Sequence, residues 1–396
     1  MQKYNYIVIG SGIIGLTIAH ALRNRKPNAS ILILDKESGE AQHASGRNSG
    51  VLHSGIYYTA DSLKAKFTVE GNRAMKAYVT SKDLNINQCG KLVVAQNEYE
   101  LGQLNELYTR GKRNGAKVLL LSEAQIFDID PNVKTFKRAL YSPDTASIDP
   151  KEVCAALKED LIQAGIRFSY NTKYLGRSLN VIHTNQGEFA GDKIINCAGL
   201  YADRVAHDFG FGLKYTMIPF KGLYLKYTKN KTDINVNIYP VPNLRNPFLG
   251  VHFTRTVTGD IKIGPTAIPA FWRENYDGND NFSFKELTEV MFHESKLYLT
   301  NAFNFRSLAQ EEMRKYNKKY FISLAMSMVK YIDPLGFTEW TKPGIRAQLL
   351  NKQTQSLVQD FVVEGDQQSI HVLNAVSPAF TCSFPFSQYV VDTYVL

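Results

Sequence analysis

Gly10-Ser11-Gly12-Ile13-Ile14-Gly15, with Asp35 twenty residues beyond Gly15, are residues whose types and spacing could do chemistry. The pattern is that of a turn that cradles the pyrophosphate of a dinucleotide. Gly10 allows the tight turn, Gly12 lets a phosphate approach the backbone, and Gly15 lets helix and strand pack closely, with Ala19 continuing the small face. The amides of Ile13, Ile14 and Gly15 sit where a helix begins, and there the N–H groups and the dipole favour an anion. Asp35, followed by Lys36, falls where an acid bonds ribose hydroxyls. The motif by itself does not choose between FAD and NAD. Its place at the start of the chain, with further nucleotide-domain pieces scattered downstream, favours FAD.

Three elements must hold that turn. Tyr4–Ile9 reads as a strand, Leu16–Asn24 as a helix, and Ser30–Asp35 as a second strand. The Ile31-Leu32-Ile33-Leu34 run is apolar on both faces, the mark of a buried parallel strand. Helical spacing recurs through Phe67–Tyr78, Leu101–Gly111 and Val153–Ala164, and Ser122 with Gln125 makes a capping-box pattern. Lys193–Cys197 reads as another buried strand, ending at Ala198-Gly199. Residues 215–265 alternate short β-like runs with Pro, Gly and Asn turns, as an antiparallel sheet does. Residues 283–331 read mainly as helix, His371–Ala375 as a strand and Ser383–Val395 as a last helix. Parallel-sheet pieces at the beginning, middle and end imply one nucleotide-binding domain assembled from 1–85, 145–212 and 340–396, with a substrate domain inserted as 86–144 and 213–339. The expected class is α/β and α+β, a Rossmann-like domain with an inserted antiparallel-sheet domain.

The chain has 396 residues, 44% of them hydrophobic and 21% charged, which excludes collagen, coiled coil and global disorder. Cys89, Cys154, Cys197 and Cys382 make no CxxC pair, so a zinc knuckle or thioredoxin motif is excluded and a reducing cytoplasm is expected. No metal site is evident. The start at Met1 shows no basic-then-apolar leader, and no apolar run reaches the roughly 18 to 20 residues of a membrane span. A net charge of +9 fits a solvated basic surface, an attraction to anionic substrates, or peripheral contact with an anionic inner-membrane face. No long Lys/Arg block stands out, so no nucleic-acid partner is expected.

Ser45-Gly46-Arg47-Asn48-Ser49-Gly50-Val51-Leu52-His53-Ser54-Gly55-Ile56-Tyr57-Tyr58 resembles the loop that passes the flavin in the D-amino-acid-oxidase-like flavoenzymes, and more narrowly in the L-2-hydroxyglutarate dehydrogenase/oxidase family. Gly90–Ala95, Asn196–Leu200, Pro219–Gly222, Phe248–Arg255, Pro343–Gln348 and Asn374–Ala379 resemble the same family in the same order, so the likeness covers nearly the whole chain. It implies an FAD domain of the glutathione-reductase type, a substrate domain with a large sheet, and oxidation of a 2-hydroxy dicarboxylate to the 2-oxo acid, with reoxidation by a quinone, an electron-transfer chain or oxygen. The chain departs from the pattern at Lys221-Gly222-Leu223, where Arg-Gly-Glu is expected, and at Phe380–Pro385, which is bulkier than the expected small-residue run.

Hydroxy-acid oxidation needs a base for the hydroxyl proton, cations for carboxylates and positive potential near the flavin. His53, in the glycine-flanked loop with an ordinary pKa near 6.5, is the expected base, and His252 is its rival. Strand alternation in Val251–Arg255 puts His252 and Arg255 on opposite faces unless a bulge intervenes. The resemblance makes Arg346, in Gly344-Ile345-Arg346, the carboxylate clamp, and a guanidinium fork suits that role. Tyr57, Tyr58, Lys221 and Arg255 form the pool for a second anchor, with His252 as a further substrate contact. Ser45, Asn48, Ser49 and Gly50 in the flavin loop, Ala198-Gly199, and Ser377 with Ala379 before the last helix complete the expected FAD contacts. Two alternatives are weighed. An amino-acid or sarcosine-like amine oxidase attacks a neutral amine and has less need of a proton-abstracting histidine. An RNA-binding flavoprotein would need a basic appended domain and base-stacking motifs, which are missing.

Overall fold

A computed structural model describes residues 2–242 and 248–395. Met1 and Leu396, at the limits of the expected nucleotide domain, and residues 243–247 of the expected substrate domain lie outside the described residues. The chain divides into two compact units.

The first unit comprises Met1–Asn48, Pro150–Pro219 and Arg346–Leu396. Its parallel core runs Ser369–Asn374, Gly187–Asn196, Gln2–Ile9, Ile31–Leu34, Arg167–Ser169. The first half of Gly187–Asn196 pairs instead with Val181–Thr184, antiparallel, and Val362–Gly365 closes the other edge on Ser369–Asn374. Burial on both faces explains the continuous Ile31–Leu34 run, every residue of which is buried. Tyr4, Ile7, Ile9, Leu32, Leu34, Ile182, Ile194 and Val205 form one core layer. Helix Ile13–Arg25 follows the glycine turn, and helix Ala379–Tyr394 packs on it. Thr17 Oγ1 and Ser387 Oγ lie 2.7 Å apart between these helices, and Arg25 grips Asp392 with two nitrogens at 2.9 and 3.0 Å. The last helix begins at Ala379 rather than Ser383, with Pro385 inside it.

The second unit comprises Ser49–Asp149 and Phe220–Ile345. Residues 49–85, which the sequence reading assigns to the nucleotide domain, pack here. Val51 and Leu52 pair with Ser147 and Ala146, and Ile56 enters a cluster with Val93, Leu104 and Tyr239. Among the described residues the main sheet has eight strands in the order Phe337–Trp340, Leu225–Tyr227, Ile261–Gly264, His252–Arg255, Asn237–Pro240, Lys91–Val94, Arg138–Ser142, Leu119–Ser122. All neighbours are antiparallel except Lys91–Val94 with Asn237–Pro240.

Alternation gives this sheet two unlike faces. One carries Leu92, Val94, Ile238, Phe253, Ile261 and Ile263, all buried under helix Lys318–Met326 residues such as Phe321 and Ala325. The other carries Lys91, Val93, Tyr239, His252, Thr254 and Lys262, by parity and pairing register. Ser122 N–H donates to Gln125 Oε1 at 3.0 Å, opening the short helix Glu123–Ile129 as the capping pattern predicts. The helical stretch after residue 283 is three helices, Phe284–Thr300, Phe305–Arg314 and Lys318–Met326, the first two separated where Asn301, Phe303 and Asn304 adopt positive φ. Among the described residues no helix is long and apolar enough to cross a membrane.

Candidate active site

In the first unit the glycine turn is built as a phosphate cradle. Gly10 has φ +109°, and a Cβ there would lie 2.5 Å from the Cys197 carbonyl oxygen; one on Gly15 would lie 1.9 Å from the Gly10 carbonyl oxygen. Helix Ile13–Arg25 starts at Gly12 with no side-chain cap and no acid in its first turn. A helix N-terminus without an acid in its first turn fits an anionic pyrophosphate. Asp35 holds the turn from the neighbouring strand. Its Oδ2 accepts from Ser11 N at 2.7 Å and Ser11 Oγ at 2.6 Å, and its Oδ1 from Glu37 N at 2.9 Å. Ser45 Oγ accepts from Ile13 N at 2.9 Å, and Asn48 Nδ2 donates to the Ser45 carbonyl at 2.7 Å. Lys36 pairs with Glu37 and lies 5.6 Å from the Tyr201 ring centroid. Ala198 N donates to Asn196 Oδ1 at 3.1 Å, and Gly199 has φ +55° with open space where a Cβ would be. Ala379 N donates to the Val376 carbonyl at 3.1 Å, so Ser377 lies in the turn that opens the last helix. Arg346, half-buried, donates from Nε to Gln348 Oε1 at 3.1 Å, and Gln348 in turn donates to the Val358 carbonyl at 2.7 Å. The fork is thereby held from behind.

The second unit begins at Ser49 and Gly50 and carries the loop with His53 and Tyr57. Three side chains pin that loop by its carbonyls. Asn72 Nδ2 donates to His53 at 3.0 Å, Arg110 to Tyr57 at 2.9 Å, and Asn114 to Gly55 at 2.8 Å and Tyr58 at 2.9 Å. His53 is buried, and its pKa is pushed down to about 3 by burial first and then by the charges of Lys91, His252 and Lys64. His252 is likewise held at about 3, by burial and by Lys91, Lys262 and Lys315, although its bond to Gly250 works the other way. Its Nδ1–H donates to the Gly250 carbonyl at 2.8 Å, which leaves Nε2 as the acceptor nitrogen. Both imidazoles are neutral at pH 7.

Lys91 stands among them. It is 0% exposed, and its Nζ has no hydrogen-bond partner among the described residues. That nitrogen lies 4.6 Å from the Tyr57 ring centroid and 5.0 Å from that of Tyr239. Burial lowers its pKa to about 7. The buried Tyr57 hydroxyl also has no partner among the described residues. Lys262, held near 8 by burial, lies 4.9 Å from the Tyr224 ring centroid.

The structure therefore brings His53, Tyr57 and His252 together around a lysine that the sequence reading passed over. It does not bring Arg255 to them. Arg255 is on the opposite face of the strand, with no bulge, and its guanidinium donates to the Lys231 and Ile234 carbonyls. Lys221 is half-buried and donates to Asn275 Oδ1 at 3.3 Å, its pKa lowered by desolvation. The sign that could have found Lys91 is a lysine at the start of an otherwise apolar strand, Lys-Leu-Val-Val, at the parity of Val93.

A family profile described as "FAD dependent oxidoreductase" matches residues 5–392. The chain belongs to the FAD-dependent oxidoreductase family. Within it, this oxidoreductase is 33% identical over 396 residues to the L-2-hydroxyglutarate dehydrogenase of Escherichia coli, covering 98% of this chain and 92% of that one. It is 35% identical over 391 residues to that of Indibacter alkaliphilus, at 96% of each chain, and 35% identical over 416 residues to the human mitochondrial protein of that name, at 99% and 88%. Among solved structures, the dithionite-reduced L-α-glycerophosphate oxidase of Mycoplasma pneumoniae with FAD bound has the same fold, with a TM-score of 0.77 at 21% identity over 99% of this chain and 94% of that one. Glycine oxidase of Geobacillus kaustophilus matches with a TM-score of 0.71 at 16% identity, over 100% and 95%. FAD is the cofactor of this oxidoreductase, and the acid-free helix start at Gly12 fits its pyrophosphate.

Proposed function

We propose that the protein oxidises L-2-hydroxyglutarate to 2-oxoglutarate. The observation that carries this reading is the grouping of two buried imidazoles, His53 and His252, with the buried cation Lys91. A hydroxyl must lose its proton as the Cα–H bond breaks, whereas a neutral amine substrate has less need of such a group. The names of the relatives, matched over nearly the full chain, support the substrate.

FAD, when bound, supplies the acceptor for the hydride leaving Cα. His53 takes the hydroxyl proton as the C=O bond forms. Its carbonyl is held by Asn72, so the loop that carries it is fixed. His252, its Nδ1–H committed to Gly250, presents Nε2 to the substrate. Arg346, backed by Gln348, binds the carboxylate next to the reacting carbon. The Gly10–Gly15 turn, Asp35, Lys36, Ser45, Asn48, Ser49, Gly50, Ala198, Gly199, Ser377 and Ala379 hold the cofactor. In domain terms, 1–48, 145–212 and 340–396 of the expected nucleotide domain serve FAD, 86–144 and 213–339 serve the substrate, and residues 49–85, which pack in the second unit, carry Ser49 and Gly50 for FAD and His53 and Tyr57 for the substrate.

A quinone, an electron-transfer chain or oxygen takes the electrons onward. A stripe of exposed Phe284, Met291, Phe292, Tyr298 and Leu299 on helix Phe284–Thr300, on a chain of net charge +9, supports peripheral contact of a cytoplasmic enzyme with an anionic membrane face. The test of the reaction is anaerobic mixing with a panel of 2-hydroxy and 2-amino acids while flavin bleaching is followed. L-2-hydroxyglutarate should bleach it fastest, and bleaching by amino acids alone would make the protein an amine oxidase.

A further inference from the structure

A buried ammonium is costly unless its donors are satisfied. Lys91 has three N–H donors, is fully buried, and has no hydrogen-bond acceptor among the described residues. The faces of Tyr57 and Tyr239, at 4.6 and 5.0 Å, offset part of the lost hydration through their quadrupoles. They accept none of the three hydrogen bonds in the plane where a carboxylate would. A second donor is stranded beside the first, because the hydroxyl of Tyr57 is buried with no partner among the described residues. Two orphaned donors of one small region, one of them cationic, are complementary to an anion with two oxygens.

We infer that Lys91, assisted by the Tyr57 hydroxyl, receives the carboxylate remote from the reacting carbon of the dicarboxylate substrate. This assignment rests on the reading of the substrate given above, and it makes Lys91 the specificity determinant for a second carboxylate. His53 and His252 are poor alternatives, since both are held neutral. Arg255 is spent on carbonyl groups of the opposite face. The lysine comes with its own proton linkage: burial brings it near neutrality at pH 7, and an arriving carboxylate draws the proton back.

The test compares the wild-type flavoprotein with Lys91→Met on two substrates, L-2-hydroxyglutarate and L-2-hydroxypentanoate. The second has the same five carbons with a methyl group in place of the remote carboxylate. Anaerobic flavin reduction is followed to saturation. The substitution should lower kcat/KM for the dicarboxylate by about 10- to 150-fold, the range of a charge-assisted hydrogen bond. It should change the rate constant for hydroxypentanoate by less than about threefold, and flavin content should stay at the wild-type level. Equal losses on both substrates would make Lys91 a general electrostatic or structural group and overturn the inference, as would an undiminished response to the dicarboxylate.

If Lys91→Met fails to fold, Lys91→Gln is read the same way. A wild-type measurement stands beside both. Glutarate is titrated calorimetrically at pH 8 in buffers of different ionisation enthalpy, where uptake of close to one proton is expected and no uptake overturns the assignment. A wild-type enzyme that L-2-hydroxyglutarate does not reduce would sink the substrate reading instead, while glutarate binding with proton uptake would still place an anion on Lys91.

Discussion

The Tyr239 ring lies against the His252 imidazole, with centroids 3.7 Å apart and planes 20° from parallel. With Nδ1–H given to Gly250, this stacking fixes both the tautomer and the orientation of the ring. His252 is therefore braced as a contact, whereas His53 sits on the pinned loop. His53→Ala should slow anaerobic flavin reduction by about 10²- to 10⁴-fold while FAD still binds. His252→Ala should act mainly on KM. Stopped-flow reduction with L-2-hydroxyglutarate decides, and the reverse pattern would make His252 the base.

The pH profile follows from the same neighbourhood. Groups of the free enzyme set kcat/KM. His53 and His252 charge only near pH 3, so a base drawn from either imposes no fall between pH 7 and 5. Lys91 faces His53, Tyr57, Tyr239 and His252, with Lys64, Lys262 and Lys315 adding positive charge around the histidines. It loses its proton through about pH 7. The expected profile is flat from pH 5 to 7 and falls above, approaching tenfold per pH unit, and Lys91→Met should flatten it. A rise between pH 5 and 7 would show a histidine titrating in its ordinary range.

Lys91 also carries a stability signature. Its folded-state pKa, near 7, is below the unfolded value of 10.5, so between these limits the unfolded chain binds more protons and stability rises with pH. Below pH 7 the buried charge opposes folding in full. Lys91→Met should raise the apparent Tm at pH 6 by about 2–4 °C for each kcal/mol relieved, with a smaller gain at pH 10. Differential scanning calorimetry at the two pH values checks it, and a lower Tm at pH 6 would mean that the ammonium is stabilising.

Arg346→Lys keeps the charge and loses the fork. Between roughly 2 and 3 kcal/mol of carboxylate binding should go, about 30- to 150-fold in kcat/KM, with FAD retained. Steady-state kinetics with flavin quantification reads both quantities. An unchanged kcat/KM would remove Arg346 from the substrate.

The cofactor should be noncovalent. Cys382 is a fully buried thiol inside the last helix, and trichloroacetic acid should release the flavin into the supernatant. Flavin in the pellet would point to a thioether. Gly10→Ala should abolish flavin binding, because the methyl group meets the Cys197 carbonyl at a φ that L-residues avoid.

The glycine turn and its flanking strands were legible because their signals are local: three glycines, two apolar runs and an acid within 35 residues. The grouping around Lys91 was not. It depends on Lys91–Val94 pairing in parallel with Asn237–Pro240, a contact between distant segments that no periodicity announces. The ionisation of His53 was unreadable for the same reason, since its lowered pKa belongs to its neighbours. The start of the second unit at Ser49 was hidden because Val51–Leu52 is a two-residue strand, too short to alternate visibly. The first turn of the last helix was hidden by Pro385 within it. For Arg255, alternation put it on the face opposite His252, because strand parity needs no tertiary information, but parity did not say which of the two joins Lys91, and Arg255 stayed among the expected substrate contacts.

The two-faced sheet of the second unit separates inheritance of fold from inheritance of chemistry. By the roles proposed above, substitutions at 91 and 252 should alter what the protein recognises, while the layer of Leu92, Ile238, Phe253, Ile261 and Ile263 lies on the opposite face. Exchange of one acid for another would then fall on the side that carries Lys91 and His252, away from the layer that holds helix Lys318–Met326.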